Sequence, residues 1–373
     1  RLTAKSEEAV FSAVARFAEA KQPAEAELLG LMRNVRFAQM SRSFLHETAR
    51  LWPPLRTVAG QELLLEMCMP LVSGPTQQPR HGLGARFLYV LGGSTAHGGG
   101  TYLSTVEIYD VHDKSWAPGT PSPGTSLYAA AAELDGKIHV MGGFPATNAV
   151  QVLQMGLQVE DAVAWATGAP MASNRYALAT AVVGGTLYAF GSFNQSSVEA
   201  FDPHTGAWAK VAPMPNPRGY AGAAVADGKI YLIGGSVSNR ALATVDVYDP
   251  QTSTWAASVP MPSVRVSHAV AALGGKIYVA GGSASHDPVS KRSSRAVDVF
   301  DPQTNAWASV APMSTARMYF SLSAAQGKLY AAGGISEGND ALATVEAYDP
   351  QQDRWEAVAP MTTTRMGHAT VTV

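Results

Sequence analysis

Residues 229–250 read KIYLIGGSVSNRALATVDVYDP, and two features of this stretch decide the fold. KIYLIGG, residues 229–235, is apolar on consecutive positions and stops at a glycine pair, as a strand does when both of its faces are buried and its end must turn sharply. VDVYDP, residues 245–250, is a second strand ended by an Asp-Pro step, and Trp255 follows it. The same succession recurs on both sides. Strands ending at a glycine pair appear as RFLYVLGG to Gly93, KIHVMGG to Gly143, KIYVAGG to Gly282 and KLYAAGG to Gly334, and the variant TLYAFGS ends at Ser192. The tryptophans at 116, 165, 208, 255, 307 and 355 lie 49, 43, 47, 52 and 48 residues apart, which makes six units of about 48 residues. A tryptophan once per unit covers roughly 150–250 Å² between neighbouring sheets. Four strands per unit, packed radially, predict a mainly β, six-bladed propeller rather than a sandwich.

Each later unit has a strand ahead of its glycine-pair strand, as in YAGAAVADGKIY, whereas RFLYVLGG is preceded only by GPTQQPRHGLGA. Residues 367–373 are therefore expected to close the first blade, so that 86–373 form one ring without open edges. The second unit is the least regular: KIHVMGGFPATNAVQVLQ lacks the YDP turn, and the preceding WAPGTPSPGTSLY lacks an arginine that the other units carry.

Residues 1–73 follow a helical period instead, with Val10, Val14 and Phe17, then Leu28, Leu31, Met32 and Val35, then Phe44, Leu45 and Leu51, then Leu63, Leu64, Met67 and Leu71. Four short helices fit this pattern, with Ser6 before Glu7 and Glu8 as an N-cap and acidic first turn. Residues 74–85, rich in glycine, proline and polar side chains, read as a linker.

Lysine and arginine number 27 against 29 acids, net charge −2, with no like-charge cluster, so neither nucleic acid nor an anionic membrane is an expected partner. No apolar run approaches the roughly 20 residues that span a bilayer. The only cysteine, Cys68, excludes an internal disulfide framework and a cysteine-rich zinc site, and a reducing, cytoplasmic location is expected. The histidines at 204, 268, 286 and 368 stand singly in different units, so no metal, other cofactor or catalytic residue is expected, and His268 and His368 read as filler at one repeat position.

The glycine pairs, YDP turns and spaced tryptophans resemble the kelch repeat over about 86–373, and KSEEAVFSAVARF with RNVRFAQMSRSFLHE resembles part of a BACK domain. Together they look like the latter part of a BTB-BACK-kelch protein whose BTB part is absent from this chain. The resemblance implies a protein-binding adaptor: the propeller captures a protein segment at one mouth, and an upstream BTB domain engages a cullin ubiquitin ligase. A cytoskeletal or scaffolding kelch protein, binding actin or another partner without ubiquitination, is the alternative, and a kelch-fold enzyme such as a sugar epimerase is the third. A copper oxidase would need a cysteine in the propeller, and Cys68 lies before it.

Five units carry an arginine at one position, Arg175, Arg218, Arg265, Arg317 and Arg365, and such regularity argues for a shared structural task, the bonding of loop carbonyls. Positions that vary between units point to the partner instead. They are Tyr128, Tyr176, Tyr220 and Tyr319 beside the arginine position, and Ser94, Phe144, Phe193, Ser236 and Ser283 after the glycine pairs, all placed by the resemblance at one mouth. Tyrosines there supply contact area at low entropy cost. Lys291 and Arg292, in the long loop SASHDPVSKRSSRA, are candidates for gripping an acidic peptide.

Overall fold

The computed structural model describes residues 85–154, 164–285, 292–337 and 340–373. The helical segment 1–73 and the linker 74–85, Ala85 apart, lie outside them, as does Lys291. Six four-stranded antiparallel sheets make up the described part. In chain order, blade 1 holds β1 (Phe87–Leu91), β2 (Val106–Asp110) and β3 (Ser115–Gly119), and blade 2 holds β4 (Ala130–Leu134), β5 (Lys137–Met141), β6 (Val150–Gln154) and β7 (Trp165–Thr167). Blade 3 holds β8 (Ala179–Val183), β9 (Thr186–Ser192), β10 (Gln195–Asp202) and β11 (Ala207–Val211). Blade 4 holds β12 (Gly222–Ala226), β13 (Lys229–Ile233), a small hairpin of β14 (Ser236–Val237) and β15 (Arg240–Ala241), then β16 (Val245–Asp249) and β17 (Thr254–Ala257). Blade 5 runs from β18 (Ala269–Leu273) through β19 (Lys276–Ala280) and β20 (Val297–Asp301) to β21 (Ala306–Val310). Blade 6 runs from β22 (Ser321–Ala325) through β23 (Lys328–Ala332) and β24 (Val345–Asp349) to β25 (Arg354–Val358).

The last strand, β26 (Ala369–Thr372), is the inner strand of blade 1 and pairs with β1, placing Val371 opposite Tyr89. The ring is thus closed between the two ends of the propeller sequence. The inner strands β26, β4, β8, β12, β18 and β22 adjoin one another in that order and return to β26. They are rich in Ala, Ser, Thr and Val, and hydroxyls bond across the joins, Thr180 Oγ1 to the Ala131 carbonyl and Ser323 Oγ with Thr370 Oγ1.

No single core sits at the centre. The apolar residues form six slabs, each between two successive blades. In β1, Leu88 and Val90 join Tyr330, Ala332 and Val345 of blade 6, while Leu91 joins Ile138 and Val140 of blade 2. The two-residue period of a strand sends alternate side chains to opposite neighbours, which is why the second strands are apolar on consecutive positions after their first residue, His139 in blade 2 apart.

The tryptophans lock the slabs from outside. Each indole N–H donates to a carbonyl just beyond the outer strand of the preceding blade: Trp116 to Ala359, Trp165 to Thr120, Trp208 to Ala169, Trp255 to Ala212, Trp307 to Val259 and Trp355 to Ala311. Five of the six rings pack on an aromatic partner in the third strand of their own blade, such as Tyr109–Trp116 at 4.9 Å and Tyr348–Trp355 at 5.1 Å, while Trp165 in blade 2 has Leu153 at that position.

Blade 2 is the irregular one. Its outer strand β7 has three residues where most others have five. Asn148 compensates in part, its side-chain amide donating to the Met171 carbonyl at 2.9 Å.

Removal of residues 362–373 takes away β26 and opens the ring at the joins to blades 6 and 2. Scanning calorimetry of the truncated protein should show a loss of several kcal/mol, a melting temperature lower by on the order of 10 °C; an unchanged transition would contradict closure by the C-terminal strand.

Candidate functional site

Two sets of connections share one end of the propeller: the turns leading into the inner strands and the loops that follow the second strands. Backbone bridges tie them together, Leu127 with Phe144, Gly219 with Ser236, Val266 with Ser283, Met318 with Ile335 and Met366 with Ser94. This is the loop face, where the sequence places its candidates.

The five repeat arginines are buried there, at 0–4% exposure, and face no channel. Arg317 shows the pattern. Its Nη1 donates to the carbonyls of Gly333 and Thr344 at 2.7 and 2.9 Å, and its Nη2 to Glu346 at 2.8 Å. Arg175, Arg265 and Arg365 repeat this on Gly191 with Glu199, Gly281 with Asp298, and Gly92 with Glu107, and Arg218 makes the same set with Gly234 and Asp246. The glycine-pair carbonyl, turned inward by the positive φ of the glycine, is thereby satisfied beneath the surface. The three glutamates reach further and also accept backbone N–H bonds from the turn before the arginine, as Glu107 does from Thr362 and Thr363. Burial pushes the Glu107, Glu199 and Glu346 carboxyls up, but these hydrogen bonds and the guanidinium charge outweigh it and hold all three below the usual carboxylate value.

Sequence reading anticipated the carbonyl bonds and missed the carboxylates. The signal was there: the second residue of VEIYD, VEAFD, VDVYD, VDVFD and VEAYD is acidic in the five blades that have the arginine. In blade 2 both partners are replaced together, Ser126 standing for the arginine and Gln151 for the acid.

Two residues after the arginine position in every blade, counted from Ser126 in blade 2, the backbone is left-handed, at Gly367, Tyr128, Ala177, Tyr220, Ser267 and Tyr319 with φ between 53° and 59°. Each of these N–H groups donates to the carbonyl of its predecessor, and Gly367 donates to Tyr319, so six bonds of 2.7–3.3 Å close a circle around the axis. Large and small residues alternate round it, with tyrosine on blades 2, 4 and 6 and Gly, Ala and Ser on blades 1, 3 and 5. Three phenol rings therefore meet over the axis, Tyr128–Tyr220 at 5.4 Å, Tyr128–Tyr319 at 5.3 Å and Tyr220–Tyr319 at 5.7 Å between centroids. A Cβ at Gly367 would come within 2.8 Å of the Tyr128 ring as well as needing positive φ. Burial pushes all three hydroxyls above the ordinary tyrosine value, so they stay protonated.

The predicted residues thus separate. Tyr128, Tyr220 and Tyr319 come together, as a mutual plug rather than as free-standing anchors. Tyr176 sits beside Arg175, one step off the circle, because Ala177 takes the left-handed position in blade 3. It leaves the plug and links outward, to Phe144 at 5.7 Å, Phe193 at 6.0 Å and Tyr220 at 6.4 Å. Phe144 is 42% exposed and Phe193 partly exposed. Ser94, Ser236 and Ser283 are corrected: at 1–3% exposure they lie under the bridges between loops and offer no surface to a ligand. Arg292 is exposed. Tyr102, 40% exposed on the blade 1 loop, and Arg240, on the blade 4 hairpin, belong to the same face and were not singled out from sequence.

His268 and His368 fill equivalent positions at the start of inner strands, where blade 6 has Phe320. Burial, reinforced by the charges of Arg265 and Arg365 respectively, lowers both to about 3. Among the described residues no cluster of three or more His, Cys, Asp or Glu side chains is placed to hold a metal ion, and no helix is long and apolar enough to cross a membrane.

Comparison with known families agrees with this architecture. The profile described as "KLHDC2/KLHL20/DRC7 Kelch-repeats domain" matches residues 81–261 and 148–315, and that of the "Kelch motif" matches 316–362. The chain belongs to the kelch-repeat propeller family. A "BTB And C-terminal Kelch" (BACK) profile matches residues 1–50, so this kelch chain carries part of a BACK domain. A search of curated proteins gives no match. A solved structure described as "Structure of YjhT" superposes with a TM-score of 0.59 at 17% identity, covering 67% of this chain and 88% of the other; it shares the fold.

Two experiments test the structural roles of the buried groups at this face. Arg317→Ser leaves Glu346 charged and buried, and urea denaturation should show a loss of about 3–5 kcal/mol; Arg317→Ser with Glu346→Gln imports the neutral pair of blade 2 and should recover part of it. For the histidines the sign follows from the depressed values. The unfolded chain takes up protons near 6.5 and the folded kelch domain only near 3, so their contribution is complete above pH 6.5 and falls as the pH drops below it. The buried glutamates act the same way but only below about 4.3. The double variant His268→Phe, His368→Phe should therefore flatten stability between pH 6.5 and 5, by on the order of 1–2 kcal/mol per site, as read from urea midpoints across that range.

Proposed function

We propose that this kelch protein is a binding adaptor that captures a segment of another protein on the loop face, and that it serves as substrate receptor of a cullin-type ubiquitin ligase. Capture is supported above all by the run of aromatic rings from Tyr220 through Tyr176 to Phe144 and Phe193, which ends in exposed side chains on loops held by a rigid scaffold. The ligase role is supported by the BACK match ahead of the propeller. In this reading the chain supplies recognition and performs no transfer chemistry, and the protein works in the cytoplasm.

The test uses the full gene product, immunoprecipitated from its own cells. A cullin and a partner protein should co-precipitate, the partner should be lost when Phe144 and Tyr176 are replaced by serine, and its half-life should lengthen several-fold when the adaptor is depleted. A partner captured with no cullin and no change in half-life would favour a scaffold in place of the ligase receptor.

A further inference from the structure

The chemistry of the loop face changes from blade to blade around the axis. The loops after the second strands carry Tyr102 on blade 1, Phe144 on blade 2 and Phe193 on blade 3, then Arg240 on blade 4, Arg292 and Arg295 on blade 5, and Glu337 and Asp340 on blade 6. The centre is closed, because the rings of Tyr128, Tyr220 and Tyr319 touch one another above the circle of backbone bonds. A partner's side chain therefore has no axial hole to enter, and the exposed aromatic surface is off-axis, with Phe144, Tyr176 and Phe193 contiguous on blades 2 and 3 and Tyr102 apart on blade 1.

The hairpin that carries the cationic residue beside that surface is held in place. Arg240 directly follows a two-residue turn, Ser238 and Asn239, both at positive φ as a tight hairpin requires. Asn194, the neighbour of Phe193, accepts the Ser238 N–H through its Oδ1 at 3.2 Å, which ties the hairpin to the aromatic loop. Arg240 is exposed and makes no ion pair among the described residues. Glu337 and Asp340 lie across the ring from blade 3, and with Arg292 and Arg295 on blade 5 the face is acidic at blade 6 and basic over blades 4 and 5, of which blade 4 adjoins the aromatic surface.

We propose that the protein recognises an extended acidic segment with a bulky apolar side chain, the apolar group seated on Phe144, Tyr176 and Phe193 and a carboxylate paired with Arg240. This rests on the adaptor reading and gives it a partner chemistry. The apolar contact supplies affinity through aromatic area, and the charge gradient sets the direction in which the segment lies, its acidic end toward blade 4 and away from the acids of blade 6.

The probe is a phage-displayed library of random twelve-residue peptides, selected on the full 373-residue chain. The enriched peptides should combine an acidic residue with a large apolar one. In fluorescence anisotropy they should bind at least 10-fold more weakly to Phe144→Ser with Phe193→Ser. Arg240→Glu, a surface change that leaves the melt unaltered, should weaken them at least 3-fold and turn a repeated selection toward basic peptides. Enrichment of peptides without acids, no enrichment at all, or affinities unchanged in both variants would overturn the proposal. If the immunoprecipitated gene product still captures a partner in that case, only the site and its chemistry fall; if it captures none, the adaptor reading falls with them.

Discussion

A four-stranded blade in this protein has two apolar faces and no means of covering either by itself. Every other feature follows from that constraint. Leu88 and Val90 need blade 6, Leu91 needs blade 2, and the same dependence passes round to the other side of β1. A linear stack would leave two faces bare, so the chain closes on itself, with β26 from the far end of the sequence lying against β1.

Closure has to be stabilised at three radii, and a different interaction serves each. At the perimeter, the indole N–H of one blade reaches a carbonyl of the preceding one. In the blade body, a buried arginine gathers the inward carbonyl of the glycine pair and a carboxylate from the third strand, so the charge is neutralised where it is desolvated. At the axis, six left-handed residues bond head to tail. The axis is also where space is shortest, and alternation of tyrosine with Gly, Ala and Ser lets three rings share it.

Departures from six-fold regularity are where recognition chemistry gathers. Blade 2 gives up the arginine and its acid as a pair, leaving Ser126 and Gln151, and presents Phe144 on its loop. Blade 3 shifts its tyrosine off the circle, so that Tyr176 joins Phe144 to Phe193 instead of adding to the plug. A scaffold fixed by repeated interactions can carry such changes, because loop side chains that differ between blades contribute little to the slabs beneath them.

The six units and the mainly β propeller were legible in the sequence, because each rests on a residue type recurring at a fixed spacing, and the same regularity marked the five arginines, and His268 with His368, as equivalent positions. The carboxylate partners were legible too, at the second position of the YD-type strands, but only once a structure showed which face they shared with the arginines. The sequence by itself could not separate the four tyrosines or sink the serines. Tyr176 and Tyr128 look alike as neighbours of the arginine position, and Ser94, Ser236 and Ser283 look like Phe144 and Phe193 as followers of a glycine pair. Whether such a residue lies on the circle, one step off it or under a bridge depends on distances between blades some 45 residues apart, set by how six sheets fit round one axis, and that only the tertiary structure decides.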